Sequence, residues 1–380
     1  MDVSVWEKES FYAASDVLIV GGGLLGLWTA RELKIKRPTL KVTLIDAGVV
    51  PMGASTRNAG FACFGSPSEM LHDLQVMGSD AMWQVVEMRY KGIQKIRSVF
   101  TDAQTGFENS GGYECFAGLN SGEWSKFETE VAALNTRIKE ITGNHAAFSS
   151  APGKLAGYGL KGFDHMIENR MEGGLHSGKL VQALKQVVRG IGVQVLDGIG
   201  MTHYERSGGG LKIYTHQKIS FSTNQLLFAT NAFLSNQLPR LGIVPARGQI
   251  ILSPPIPGLA LKGTFHFDGG YYYFRNLGNR VLLGGARNTD FAGEQTLSLE
   301  TTANIRLALY SFIQRHLPAA AIHPLESYEC WSGLMAMHPS KQPVLQQVDQ
   351  NVWAAMCCNG MGVALSPVFS ELVANEMLNG

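Results

Sequence analysis

Asp16-Val17-Leu18-Ile19-Val20-Gly21-Gly22-Gly23-Leu24-Leu25-Gly26, answered by Lys41-Val42-Thr43-Leu44-Ile45-Asp46, sets an apolar run, a glycine turn, a helix start, a second apolar run and an acid in one order. The first run is too short for a membrane span and reads as a strand buried on both faces. Gly21 permits the tight turn, Gly23 lets backbone approach a pyrophosphate, and Gly26 lets the helix pack on the strand. The helix start offers unpaired N–H groups and the positive end of its dipole to phosphates. Asp46 follows Gly26 by about 20 residues, the spacing at which a carboxylate meets ribose hydroxyls. The pattern predicts a dinucleotide site and leaves nicotinamide and flavin open.

Working outward, 380 residues exceed what one core usually holds, so two domains are expected. Lys+Arg 32 against Asp+Glu 31 gives a net charge of +1, which offers nucleic acid or an anionic membrane surface no electrostatic purchase. Small molecules are the expected partners. Cys63, Cys115, Cys330, Cys357 and Cys358 form no C-x-x-C pair and no metal-ligand spacing, so buried thiols in a reducing compartment are expected and a metal site is not. Residues 1–14 lack the pattern of a signal peptide, and the longest apolar run, Val17 to Ala30, is broken by glycines. A cytoplasmic protein without a membrane span is expected.

The chain then alternates. Pro51 to Phe61 is a loop of small residues able to lie against a flat ligand. From Asp80, Val86, Tyr90, Ile93 and Phe100 recur at helical spacing, and a second helix is expected over Glu123 to Ile141. Ser177 is a candidate N-cap for a helix through Val188, followed by strands at 192–196 and 225–229. From 242 to 288 short strands with turn signals predict an antiparallel sheet: 246–252, 270–275 and 280–285. A helix at about Ser298 to His316 and a strand at 351–356 follow. The fold class expected is α/β, α+β overall: a Rossmann-like, discontinuous nucleotide-binding domain (1–90, 156–240, 325–380) and an antiparallel-sheet substrate domain (91–155, 241–324).

With these segments in view, the chain resembles, over nearly its full length, the D-amino-acid oxidase superfamily, in particular the group of glycine oxidase, sarcosine oxidase and gamma-glutamylputrescine oxidoreductase. The resemblance rests on the fingerprint together with Gly53-Ala54-Ser55-Thr56-Arg57-Asn58-Ala59-Gly60, Ala229-Thr230-Asn231-Ala232, Pro245-Ala246-Arg247-Gly248-Gln249, Trp331-Ser332-Gly333-Leu334 and Asn359-Gly360-Met361-Gly362-Val363-Ala364-Leu365-Ser366-Pro367. The last segment also reads on its own as strand, glycine turn and a helix opening at Ser366-Pro367, whose N-terminus can face the pyrimidine edge of a flavin.

The resemblance implies FAD contacts from Gly21, Gly23, Leu24, Leu25, Gly26, Asp46 and Ala47; from Gly53, Ala54, Ser55, Thr56, Arg57, Asn58, Ala59, Gly60 and Phe61; from Met201, Thr230, Asn231 and Gly333; and from Asn359, Gly360, Met361, Gly362, Val363 and Ala364. Relatives that attach flavin through histidine carry it where Asn58 stands, and those using cysteine place it near Gly333, so a noncovalent cofactor is expected, with Cys330 the nearest thiol. The implied reaction is hydride transfer from the amine-bearing carbon to flavin N5, giving an imine that water hydrolyses, with O₂ or another carrier as acceptor.

Departures from the family narrow the substrate. Met335 stands where relatives hold a substrate carboxylate with arginine, Ala364 where sarcosine oxidase uses lysine, and Leu282 or Leu283 where it activates oxygen with a second lysine. An amine without an adjacent carboxylate is therefore expected. Pocket candidates are Tyr271, Tyr273, Arg287, Met335 and His338; no dedicated acid or base is nominated. Alternatives are a catalytically degenerate FAD protein and a nicotinamide-dependent dehydrogenase. Neither substrate identity nor oligomeric state is readable from the chain.

Overall fold

A computed structural model describes residues 3–356 and 359–379. Leu18 and Val20 pack into one core and Val17 and Ile19 into another, so the strand Ser15–Val20 is covered on both faces, as its unbroken apolar run requires. It pairs in parallel with Val42–Asp46 on one side and Ser220–Phe228 on the other. Gln194–Asp197 and Val352–Met356 extend the parallel set outward, and Val344–Asp349 closes one edge antiparallel. A hairpin of Met201–Ser207 and Gly210–Thr215 branches from Ser220–Phe228 to complete eight strands.

A second eight-stranded sheet runs in the order Glu329–Met337, Val244–Leu252, Arg280–Gly285, Tyr272–Leu277, Thr264–Phe267, Gly112–Phe116, His165–Asn169 and Phe148–Ser150. All its pairings are antiparallel except that of Thr264–Phe267 with Gly112–Phe116. His165–Asn169 and Glu329–Met337 lie inside the segments 156–240 and 325–380, so pairing in this sheet crosses those expected bounds. The helix Ala303–His316 covers the sheet through Ile305, Leu309, Phe312 and Ile313.

Three helix starts differ from expectation. His176, not Ser177, caps the helix Ser177–Gly190: its Nδ1 accepts from the Lys179 N–H, while Ser177 Oγ donates to Asn58 Oδ1 at 2.7 Å. The helix expected from Ser298 begins at Ala303, because the Thr302 amide donates to Gln249 Oε1 and holds the preceding chain extended. The last helix starts at Gly362, directly after Asn359 and Gly360 turn with positive φ, and Pro367 therefore sits inside it. Proline has no N–H to return to the Val363 carbonyl, so one bond of the first turn is missing. The expected helices at 80 and 123 are Ser79–Val99 and Ser121–Thr142, the second opened by an Asn120/Glu123 capping box. Cys63 and Cys115 are buried and Cys330 is half-buried; Cys357 and Cys358 lie outside the described residues. Among the described residues, no helix is long and apolar enough to cross a membrane.

Candidate functional site

The carboxyl ends of the parallel strands and the face of the second sheet enclose a cavity of about 920 Å³. Its first end is built by the fingerprint. Gly21 has φ +116°, and a Cβ there would stand 2.5 Å from the Ala229 carbonyl oxygen. The helix Leu24–Lys36 starts at Gly23 without a side-chain cap, leaving first-turn N–H groups for a ligand; the Leu24 N–H donates to Ser55 Oγ at 2.9 Å. Asp46 closes its strand with Oδ2 accepting from the Gly22 N–H at 2.7 Å and Oδ1 from the Gly48 N–H at 2.9 Å. The carboxylate thus fixes the glycine turn and faces the cavity at the same time.

The middle is walled by backbone. Gly333 lies against Arg57, where a Cβ would stand 3.2 Å from that of Arg57, and Trp331 Nε1 donates to the Arg57 carbonyl at 3.1 Å. Facing it, Gly360 to Ala364 bring the start of the last helix to the cavity. The buried Asn359 Nδ2 and Ser366 Oγ, on residues that line this wall, have no protein partner. Glycines leaving room for a flat ring, an uncapped helix start, an acid at a strand end and unpartnered polar atoms together fit an FAD molecule.

The far end is aromatic and charged. Phe61 meets the rings of His266 and Tyr273 edge-on at 5.1 and 6.0 Å. Two ion pairs stand in the wall: Arg89–Glu69 at 2.9 Å and Lys341–Asp73 at 2.6 Å. Burial, the largest single influence, pushes the Glu69 carboxyl up, but the charge and hydrogen bond of Arg89 together with His266 and Lys341 outweigh it and the group ends below its ordinary range. Burial lowers His266, opposed by Glu69, and its Nε2 has no partner. Burial raises Tyr273 to about 12, against the pull of Arg287.

Of the expected cofactor contacts, all line this cavity except Gly26, Thr56 and Gly60. Gly26 faces the Gly21 carbonyl, Thr56 Oγ1 donates to the Pro51 carbonyl, and Gly60 faces Leu175 and Arg275. Tyr271, Tyr273, Arg287 and Met335 converge on the far end, with Tyr271 at the rim. His338 does not join them; its Nδ1 engages Ser340 Oγ at 2.8 Å. Cys330 is also outside the lining: Gly333 and Met335 of its strand line the cavity, while Cys330 packs with the opposite core. Sequence reasoning passed over Cys63, Glu69, His72, Asp73, Arg89 and Lys341. A signal existed for Arg89, a charge between Val86 and Ile93 on the apolar face of its helix.

A family model described as FAD dependent oxidoreductase (DAO) matches residues 16–376. The bifunctional protein ThiO/ThiG of Synechocystis sp. is 23% identical over 377 residues, covering 96% of this chain and 52% of that protein. The chain thus spans about half the length of the curated relatives it matches over its full extent. Among solved structures, L-proline dehydrogenase from P. horikoshii aligns with a TM-score of 0.74 at 16% identity, covering 97% of this chain and 94% of that one. Glycine oxidase from Geobacillus kaustophilus aligns with a TM-score of 0.73 at 18% identity, covering 96% and 95%. These likenesses establish the fold.

Proposed function

Because the chain belongs to the DAO family of FAD-dependent oxidoreductases, we propose that it oxidises the C–N bond of an amine whose reacting carbon bears no carboxylate. FAD is its cofactor, and the nicotinamide-only alternative falls with the family match. When bound, FAD supplies a hydride acceptor beside the amine-bearing carbon.

Met335 carries this reading. Its Sδ lies 3.2 Å from where a Cβ on Gly360 would stand, and its Cε 3.3 Å from that of Gly248, so a thioether fills the space between the last glycine turn and the substrate sheet. A thioether cannot pair with a carboxylate, and a carboxylate desolvated there would go uncompensated. Around it, Phe61 and Tyr273 form an apolar, water-excluding wall, and Tyr273, held protonated by burial, offers an O–H to orient the substrate. The FAD is held noncovalently, since Asn58 is engaged with the Ala54 and Ser55 carbonyls and Cys330 faces away. The imine leaves for hydrolysis by water.

The test is anaerobic flavin reduction of the holoenzyme by paired compounds. n-Propylamine and N-methylpropylamine are expected to bleach the flavin faster than glycine, sarcosine or D-alanine. Faster bleaching by the amino acids would overturn the reading.

A further inference from the structure

Four fixed cations line the cavity: Arg57, Arg89, Lys341 and Arg287. Arg57 donates to the Ser332 carbonyl at 3.1 Å, Arg89 is paired with Glu69 and Lys341 with Asp73. Among the described residues, Arg287 alone of the four has neither a carboxylate nor a hydrogen-bond acceptor. Its guanidinium is instead laid over the Phe291 ring, 5.0 Å from the centroid, and Phe291 is in turn met edge-on by Tyr271 at 5.8 Å. Asp268, an acid of the same cavity wall, accepts from Asn288 Nδ2 at 3.0 Å and makes no ion pair with Arg287.

A guanidinium held by an aromatic face keeps its in-plane N–H donors pointing outward and loses little freedom on meeting an anion. Arg287 follows the strand Arg280–Gly285 after the single residue Ala286, and Gly284 of that strand faces Tyr273, so its charge stands on the same wall as the Tyr273 ring. Tyr273 bridges from that charge to Met335: the site a Cβ would take on Gly248 is 3.4 Å from the Tyr273 hydroxyl and 3.3 Å from Met335 Cε. The wall thus has an apolar stretch beside the glycine turn and a free cation beyond it.

We infer that the substrate carries an anionic group separated from the reacting amine by an apolar spacer, and that Arg287 binds that group. This rests on the amine-oxidation reading and adds the substrate's second charge to it. An ω-amino carboxylate has this chemistry: its amine-bearing carbon is uncharged, and its carboxylate sits a chain length away.

The test separates binding from oxidation. FAD-loaded enzyme is titrated with butyrate and with butyramide, which carry no amine, and binding is read from the perturbation of the flavin spectrum. Butyrate should bind more tightly than butyramide. Arg287→Met should weaken butyrate about 10- to 100-fold, as expected for a lost charge-assisted contact, leave butyramide unchanged and keep the melting temperature. Arg287→Lys should restore part of the butyrate affinity. Equal binding of the two probes, or butyrate binding untouched in Arg287→Met, overturns the inference. In parallel, 4-aminobutyrate and n-butylamine are compared as anaerobic reductants: loss of anion binding in Arg287→Met with no reduction by any amine supports the anion site and retracts the oxidation reading alone.

Discussion

Gly26 has no space for a methyl group. A Cβ there would stand 2.0 Å from the Gly21 carbonyl oxygen, and both atoms belong to backbone that the parallel strand and the glycine turn hold in place. Gly26→Ala must therefore push the helix off the strand, at a cost of about 1–3 kcal/mol, and it moves the N–H groups that would meet the phosphates. The expected result is a folded protein with a lower melting temperature that purifies without yellow colour; full flavin content in this variant would show that the turn does not set the cofactor's position. Gly23 is different in kind: a Cβ there would meet Ser55 Oγ at 2.8 Å, the end of a side chain that can turn.

At the scale of elements, two acids from the second sheet's side pin the segment that enters the cavity between Cys63 and Ser68. Glu114 accepts from Ser66 Oγ at 3.2 Å, from the Ser68 N–H at 3.1 Å and from Ser68 Oγ; Glu172 accepts from the Phe64 N–H at 2.7 Å. Burial raises Glu114 to about 7 and Glu172 to about 8, in each case against the hydrogen bonds it accepts. The sign follows from linkage: the folded state keeps protons that the unfolded chain releases near its ordinary carboxylate pKa, so this stability is fully present at acid pH and is lost as pH rises to about 7 and 8. At about 1.4 kcal/mol per pK unit, Glu114 contributes on the order of 3 kcal/mol to that fall. Urea melts from pH 5 to 8 should show declining stability, less steep in Glu114→Gln; identical slopes would remove Glu114 as the cause.

Helix packing links a distant glycine to the same site. Gly92 in Ser79–Val99 lies against the last helix so closely that a Cβ would stand 1.8 Å from the Ala364 carbonyl oxygen. Ala364 lines the cavity, so Gly92→Ala should displace the helix start that faces the flavin. FAD affinity is expected to fall about tenfold, equivalent to about 1.4 kcal/mol, measured by titrating the apoprotein; unchanged affinity would uncouple helix packing from the cofactor site.

Across the whole molecule, Arg275 ties the two sheets' territories together, its guanidinium donating to the Gly60 and Leu175 carbonyls at 2.7 and 2.9 Å. Contacts of this range mark the boundary of what was legible in the chain. The parallel strands, the fingerprint and the flavin loop could be read because their residues are close in sequence and each backbone need selects a residue type. Tyr271, Tyr273, Arg287 and Met335 could be placed near one another through strand alternation and the family motifs. The ion pairs Arg89–Glu69 and Lys341–Asp73 could not, since the first depends on how the helix Ser79–Val99 packs on the helix Pro67–Met77 and the second on a loop far along the chain reaching Pro67–Met77. Helix starts slipped by a few residues for a similar reason: Ser177 is drawn to Asn58 across the fold, leaving His176 as the cap, and the Thr302 amide is held by the distant Gln249.

The central claim is that this chain holds FAD and passes to it electrons from an amine lacking an adjacent carboxylate. The visible spectrum of the purified protein, recorded before and after anaerobic addition of n-propylamine and 4-aminobutyrate, tests it most directly. An oxidised-flavin spectrum that bleaches with these amines is the result expected, and recovery on admitting air would identify O₂ as an acceptor. A flavin that dithionite reduces but no amine bleaches, or one that glycine, sarcosine or D-alanine bleaches in preference, would contradict the account.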